Sequence, residues 1–441
     1  MSDDSIEKRL YHIFDPAPLR PNQANLYIEL DNVRGDADIV NCLASRIRLS
    51  DKPTCQILAG HRGSGKSTEL YRLQHHLQTT DQAHRYFVVF CECDDDIDRN
   101  DVDFPEVLLA IVRQTAKQLR ERAEIHLEPG YFKDYLQRIK SLLTSEIQLE
   151  GFELDTGLLK LSGAIKGSPD VRKTIREKLE PDTSNLIAAA NDVLSQAILE
   201  LTKKAWHGMV IVVDDLDKMI VRPHSSGCTT AEYLFIHREA QLSAFNCHVV
   251  YNAPLGLAYS VQERNAANLY GGSVPVVPMV KIRTHDGTPH EPGIRKMREM
   301  IAARLNAANA QPAQLFQNDA VQDELICWTG GQPRELMLLI RDAIIRGRHC
   351  PITSQSLNTA VRDSKRAYAR QLRQEHWPII QQVARTGQLQ RSNSNENLVR
   401  DLLDSRALLQ YVNDKEWYAV NPFLVEALQA VCPCPPSPNT P

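Results

Sequence analysis

No stretch of this 441-residue chain holds eighteen successive apolar residues, so no transmembrane helix is expected. The opening residues, Met1-Ser2-Asp3-Asp4-Ser5, lack the apolar run of a secretory signal, and a cytoplasmic location is expected. The ten cysteines are scattered. Neither Cys91-Glu92-Cys93 nor Cys432-Pro433-Cys434 has a second pair at zinc-ligand spacing, so reduced thiols are the expected state. Neither sign of charge dominates. The formal net charge of −4 excludes a general basic coat for nucleic acid but allows a local basic patch. Charged residues at 24% and hydrophobic residues at 42% are ordinary for a globular chain, and the length allows two or three cores.

The strongest pattern present is Gly60-His61-Arg62-Gly63-Ser64-Gly65-Lys66-Ser67, which satisfies G-x-x-x-x-G-K-[ST] at every fixed position. The apolar run Cys55-Gln56-Ile57-Leu58-Ala59 precedes it and reads as a buried strand. A helical pattern from Ser67 to Leu77 follows. Strand, glycine loop and helix are the context in which backbone N–H groups cradle phosphates at a helix N-terminus. Lys66 is expected to reach the β- and γ-phosphate oxygens, Ser67 to ligate Mg²⁺, and Thr68 to assist at the helix start. The chain has no Asn-Lys-x-Asp stretch of the kind that specifies guanine, so ATP is the expected nucleotide.

The second pattern is Met209-Val210-Ile211-Val212-Val213-Asp214-Asp215-Leu216-Asp217. Its β-branched run reads as a strand buried on both faces, delivering acids to the sheet edge where the glycine loop sits. Asp214 is the expected Mg²⁺ ligand. Asp215 or Asp217 is expected to orient or deprotonate an attacking water. The next strand, His248-Val249-Val250-Tyr251-Asn252, ends on a residue that either bridges water and γ-phosphate or simply begins a turn before Pro254.

Other stretches read more plainly. Residues 85–91 form a strand ending in the acidic run Asp94-Asp95-Asp96-Ile97-Asp98, which reads as a solvated loop. Helices are expected at about 104–123, 130–144 and 183–203, with a hairpin or mobile insertion between 147 and 182. Residues 26–33 read as a short strand or turn. Residues 274–282 read as a strand whose prolines mark it as irregular. Arg264 is a candidate arginine finger, with a plain surface arginine the competing reading. Gly330-Gly331-Gln332-Pro333-Arg334 places Arg334 in a first helical turn, where its charge opposes the helix dipole and a phosphate would justify it. Arg362, Arg366, Arg370 and Arg373 fall on one face of a helix expected at 352–373, a stripe that meets either phosphates or solvent. A helix pair, the two-stranded wing around Asn413-Asp414-Lys415 and a closing helix complete the chain. A proline-rich tail, expected to be disordered, follows.

Together these pieces resemble the AAA+/STAND-type P-loop ATPases, in the clade holding origin-recognition-type ATPases, NACHT-like signalling ATPases and relatives in prokaryotic conflict systems. In that resemblance residues 60–67 match the Walker A motif and Asp214-Asp215 the Walker B motif. Asn252 takes the sensor-1 position, and Gly330-Gly331-Gln332-Pro333-Arg334 is similar to a sensor-2 lid turn. The implied fold is α/β: a five-stranded parallel P-loop core at 26–293 behind an N-terminal helix and linker at 1–25. A helical lid at 294–348, a winged-helix domain at 351–431 and the tail at 432–441 follow. The implied activity is slow ATP hydrolysis with Mg²⁺, slow because Asp-Asp stands where many relatives carry Asp-Glu. The catalytic set carried over is Lys66, Asp215, Asp217, Asn252 and Arg334. The nucleotide set is Gly60, His61, Arg62, Gly63, Ser64, Gly65, Lys66, Ser67 and Thr68, with Ser67 and Asp214 on the metal. The implied role is a molecular switch of the kind used in prokaryotic defence or signalling. Its nucleotide state would control homo-oligomer assembly and a protein partner. The alternative is an initiator-like ATPase that binds DNA through the winged helix. Val33-Arg34-Gly35 only loosely matches the family's upstream box.

Overall fold

The structure is a computed structural model and describes residues 6–35, 38–79, 84–127, 163, 166–260, 263–272, 274–392 and 394–431. Five runs rich in β-branched and aromatic residues form its central sheet. They are β1 (Cys55–Gly60), β2 (Tyr86–Glu92), β3 (Gly208–Asp214), β4 (His248–Asn252) and β5 (Val276–Val277). All pair in parallel, in the spatial order β2-β3-β4-β1-β5. The register sets Leu58 of β1 opposite Asn252 of β4, and Val213 of β3 opposite Tyr251. Parallel strands bring their carboxyl ends to one edge. The glycine loop after β1 and the acids ending β3 therefore share that edge, with Asn252 between them.

Helices cover both faces. The first helix, α1 (Ile6–Ile13), buries Leu10 in the second core described below, while α2 (Ile39–Arg48) and α3 (Lys66–Thr79) cover one face and pack Leu43, Ile47, Leu70 and Leu73 against Val88, Val210 and Val250. On the other lie α4 (Phe104–Ala123), α5 (Pro169–Leu179) and α6 (Thr183–Lys203), packed on Val89, Ile211 and Val249. Asp103 starts α4 with a capping box, accepting from the helix backbone while Glu106 reaches back. A second core joins α7 (Glu291–Ala307), α8 (Asp319–Trp328), α9 (Pro333–Gly347) and α10 (Ser354–Ala369) to α11 (Trp377–Thr386), α12 (Glu396–Asp404) and the hairpin β6 (Leu408–Val412)–β7 (Glu416–Val420).

Several expectations need correction. The strand expected over 274–282 shrinks to Val276–Val277. Pro275 and Pro278 have no N–H to give a ladder. The next three amides bond elsewhere: Met279 N–H to Gln410 O (3.1 Å), Val280 N–H to Gly331 O (3.1 Å) and Lys281 N–H to Val33 O (3.0 Å). This segment is thus a seam joining three parts of the chain. Over 26–33, read as a short strand or turn, the structure takes the turn: 3-10 segments end at Leu26 and span Asp31–Val33. The helix carrying the arginine stripe stops at Ala369, so Arg373 lies beyond it. The helix expected at 130–144, the hairpin strands at 147–162 and the tail lie outside the described residues.

The acidic run is more than a solvated loop. Arg172 and Arg176 of α5, at the end of the insertion, reach Asp98 (3.0 Å) and Asp101 (2.7 Å), and Arg176 also reaches Glu106 (2.9 Å). Asp96 pairs with Arg113 of α4 in the interior.

Candidate nucleotide site

The glycine loop bends at Gly63 and Gly65, whose φ values of 85° and 106° lie in the region that disfavours side chains. A Cβ at Gly63 would also stand 2.8 Å from the Arg334 Cβ, so the start of α9 lies directly on the loop. Two hydrogen bonds fix that contact. Gln332 Nε2 donates to Arg62 O (2.5 Å), and the Arg334 N–H donates to Gly63 O (3.3 Å). Arg334 therefore stands where the sequence placed it, at the start of α9, with an exposed side chain lining the same cleft as the loop.

Lys66 is buried. Its ammonium donates to Gly60 O (2.8 Å) and His61 O (3.0 Å) and pairs with Asp217 Oδ2 at 2.8 Å. Asn252 Nδ2 donates to both Asp214 and Asp217, tying β4 to the acids after β3. The Ser67 hydroxyl also bonds Asp214. Burial raises the Asp214 pKa, and the Asp217 charge raises it further. Burial, with help from Asp214, pushes Asp215 up to about 6. Asp215 has a φ of 71° and pairs with Lys218, which also reaches Asp94 Oδ2 (3.1 Å). Carboxylate oxygens of Asp214, Asp215 and Asp217 lie within 4.8 Å of one another. With the Ser67 hydroxyl they make an all-oxygen donor set, the chemistry that suits a hard divalent cation such as Mg²⁺.

Sequence reasoning missed the role of His61. Its ring is fully buried, and burial pushes its pKa down to about 3. The Gln410 N–H of β6 donates to Nε2 (3.1 Å), so Nε2 bears no proton, and Nδ1 must donate to Leu403 O of α12 (3.1 Å). The side chain of this residue, expected among the phosphate contacts, clasps the loop to β6 and α12. Tyr411 reinforces it by donating to Gly330 O (2.6 Å). Only the folded chain brings position 61 to positions 403 and 410, and no local signal announced it.

The remaining expected residues divide. Arg62 is exposed and donates to Asp217 O (3.4 Å). The Thr68 hydroxyl accepts from the Leu19 N–H (3.2 Å), strapping the N-terminal segment across the start of α3. Arg264 lies in the helix Glu263–Leu269, and its side chain lies outside the described residues. Arg34, in the loosely matched upstream box, is buried and donates to Ser64 O (2.5 Å).

Loop, Asp217, N-terminal segment, α7 and α9 enclose a cleft of roughly 580 Å³. Its lining includes the cations Arg62, Lys66, Lys218 and Arg334 and the apolar side chains of Leu26, Leu30, Met300 and Met337. Cations together with apolar side chains are the kind of lining that suits a polyphosphate carrying a planar base. Among the described residues no helix is long and apolar enough to cross a membrane.

No protein-family model matches the chain, and no curated protein matches it. Among solved structures it is similar to a Walker-type ATPase of Pyrococcus abyssi, at 14% identity and TM-score 0.45, covering 95% of this chain and 99% of that one. It is also similar to the ORC2 protein of Aeropyrum pernix in ADPNP–ADP complexes, at 11% identity and TM-score 0.41, covering 96% and 98%. A third is Cdc6p from Pyrobaculum aerophilum, at 13% identity and TM-score 0.36, covering 95% and 96%.

Proposed function

We propose that this chain is an ATP-binding, slowly ATP-hydrolysing switch whose nucleotide state sets the docking of its winged helix, and through it assembly and partner binding. One observation carries the reading. Three successive residues of the phosphate loop hold two distant segments: His61 holds the wing, while Arg62 and Gly63 hold the start of α9 through Gln332 and the Arg334 amide. A phosphate entering this loop cannot settle without being felt by lid and wing.

In this reading ATP draws Lys66 away from Asp217 to the β- and γ-phosphate oxygens, while loop N–H groups bind the remaining phosphate oxygens. Ser67 and Asp214 hold Mg²⁺, which when bound supplies charge neutralisation at the phosphates. Arg334 meets the γ-phosphate from the lid. Asp215, released from Lys218, accepts a proton from the attacking water, and Asn252 and Asp217 hold that water in line. Its partnership with Lys218 and its short side chain account for slow turnover.

The first test is the mass of the Asp215→Asn protein by light scattering, with and without ATP and Mg²⁺. A larger assembly with ATP supports the switch. A monomer that binds ATP sends the search to a missing partner. Phosphate release retained in Lys66→Ala would sink the ATPase assignment.

A DNA-binding output is the second reading, favoured by the exposed Arg362, Arg366 and Arg370. Against it, α12 before the wing carries Glu396, Asp401 and Asp404 with the single base Arg400, and gives its Leu403 carbonyl to His61. Lys365 and Arg373 already pair with Glu426 (2.6 Å) and Asp401 (2.7 Å). A gel shift with a steep salt slope, lost in Arg366→Ala with Arg370→Ala, would favour DNA.

A further inference from the structure

Arg304 is an arginine that the site described above does not use. It lies on α7 with Met297, Met300 and Ile301, at the spacing of one buried apolar face. It is 6% exposed, yet lines the cleft. The other buried arginines among the described residues face carboxylates: Arg34 faces Glu69, Arg113 faces Asp96, Arg172 faces Asp98 and Arg238 faces Glu180. Arg304 faces none among the described residues. Its one hydrogen bond there is from a terminal nitrogen to Met300 O (3.2 Å), within its own helix, and its Nε has no partner. Burial alone pulls its pKa down to about 10.

The acids that line the cleft are already engaged. Asp217 holds Lys66 (2.8 Å), Glu69 holds Arg72 (2.7 Å), and Asp15 faces Arg341 (3.6 Å). A guanidinium left without an anion in a dry wall is costly unless a ligand supplies acceptors. Arg304 stands one helical turn beyond Met300, and both line the cleft, as do the apolar Leu26, Leu30 and Met337. An apolar neighbour on the same helix face suits a base better than a phosphate.

We propose that Arg304 reads the base of the bound nucleotide, donating to the N7 acceptor that adenine and guanine share and pyrimidines lack. This makes the cleft purine-selective. The inference rests on the nucleotide reading of the same site and adds to it the residue that selects the base. It also says why the arginine is tolerated: the free protein holds an unpaired charge that the ligand satisfies.

The test measures binding of ATP, 7-deaza-ATP and inorganic tripolyphosphate to wild type and to Arg304→Met, together with thermal unfolding of both free proteins. Wild type should prefer ATP over 7-deaza-ATP by roughly 10- to 100-fold, the value of a hydrogen bond to a charged donor. Arg304→Met should bind both at the weaker level, keep its tripolyphosphate affinity, and unfold no earlier than wild type, because methionine suits the apolar face. ATP binding equal to wild type in Arg304→Met overturns the inference. So does a matching loss of tripolyphosphate, equal wild-type affinity for ATP and 7-deaza-ATP, or a markedly lower unfolding temperature of the variant. Wild type that binds neither ATP nor tripolyphosphate overturns the nucleotide reading itself.

Discussion

The Lys66 ammonium lies 2.8 Å from the Asp217 carboxylate, and both side chains are buried. The lysine of the glycine loop is therefore held by an acid that follows the end of β3. Removing Lys66 leaves that acid without its counter-charge, which typically costs roughly 3–5 kcal/mol. Lys66→Ala should lose nucleotide binding and also unfold more readily. Adding Asp217→Asn should restore much of the stability and none of the binding. Denaturant titration and calorimetry of the single and double variants check this. Additive stability losses would mean that the two residues do not act as a pair.

His61 gives a pH dependence with a definite sign. Its folded pKa, pushed down to about 3, lies below the ordinary 6.5, so the unfolded chain takes up the proton first. The stability it supports is full above pH 6.5 and is lost as pH falls toward 3. At pH 5 the loss is about 2 kcal/mol. His61→Gln cannot titrate, so the difference in unfolding free energy between wild type and this variant should shift in the variant's favour from pH 7 to pH 5. A pH-independent difference would remove the buried neutral imidazole from the account.

Lys218 restrains Asp215 by pairing with it. If Asp215 accepts the proton of the attacking water, Lys218→Ala should free it and raise phosphate release several-fold, while Asp215→Asn slows release and keeps ATP binding. Slower release in Lys218→Ala would show that the lysine is needed in its own right.

Much of the core was legible because its signals are local. The glycine spacing of residues 60–67, the apolar run before Asp214 and the alternation of strands with helices all lie within a few residues, and parallel pairing brings their ends together. The contacts between distant segments were not legible. His61 bonds residues more than 340 positions away. The amides of Met279, Val280 and Lys281 were expected in a strand, yet they bond β6, the turn before α9 and the N-terminal segment, because flanking prolines stop the ladder. Arg304 carries no local signal either: it is buried with Met297, Met300 and Ile301 on one face of α7, and an arginine at that spacing does not by itself announce burial.

The central claim is that nucleotide in the loop governs the docking of the wing. Amide hydrogen exchange across residues 408–420 and at Met279 tests it most directly, in Asp215→Asn with and without ATP and Mg²⁺. The account predicts faster exchange at Gln410 and Met279 when ATP binds, as the His61 clasp and the Met279–Gln410 bond open. ATP that binds tightly while both amides keep their protection would contradict it.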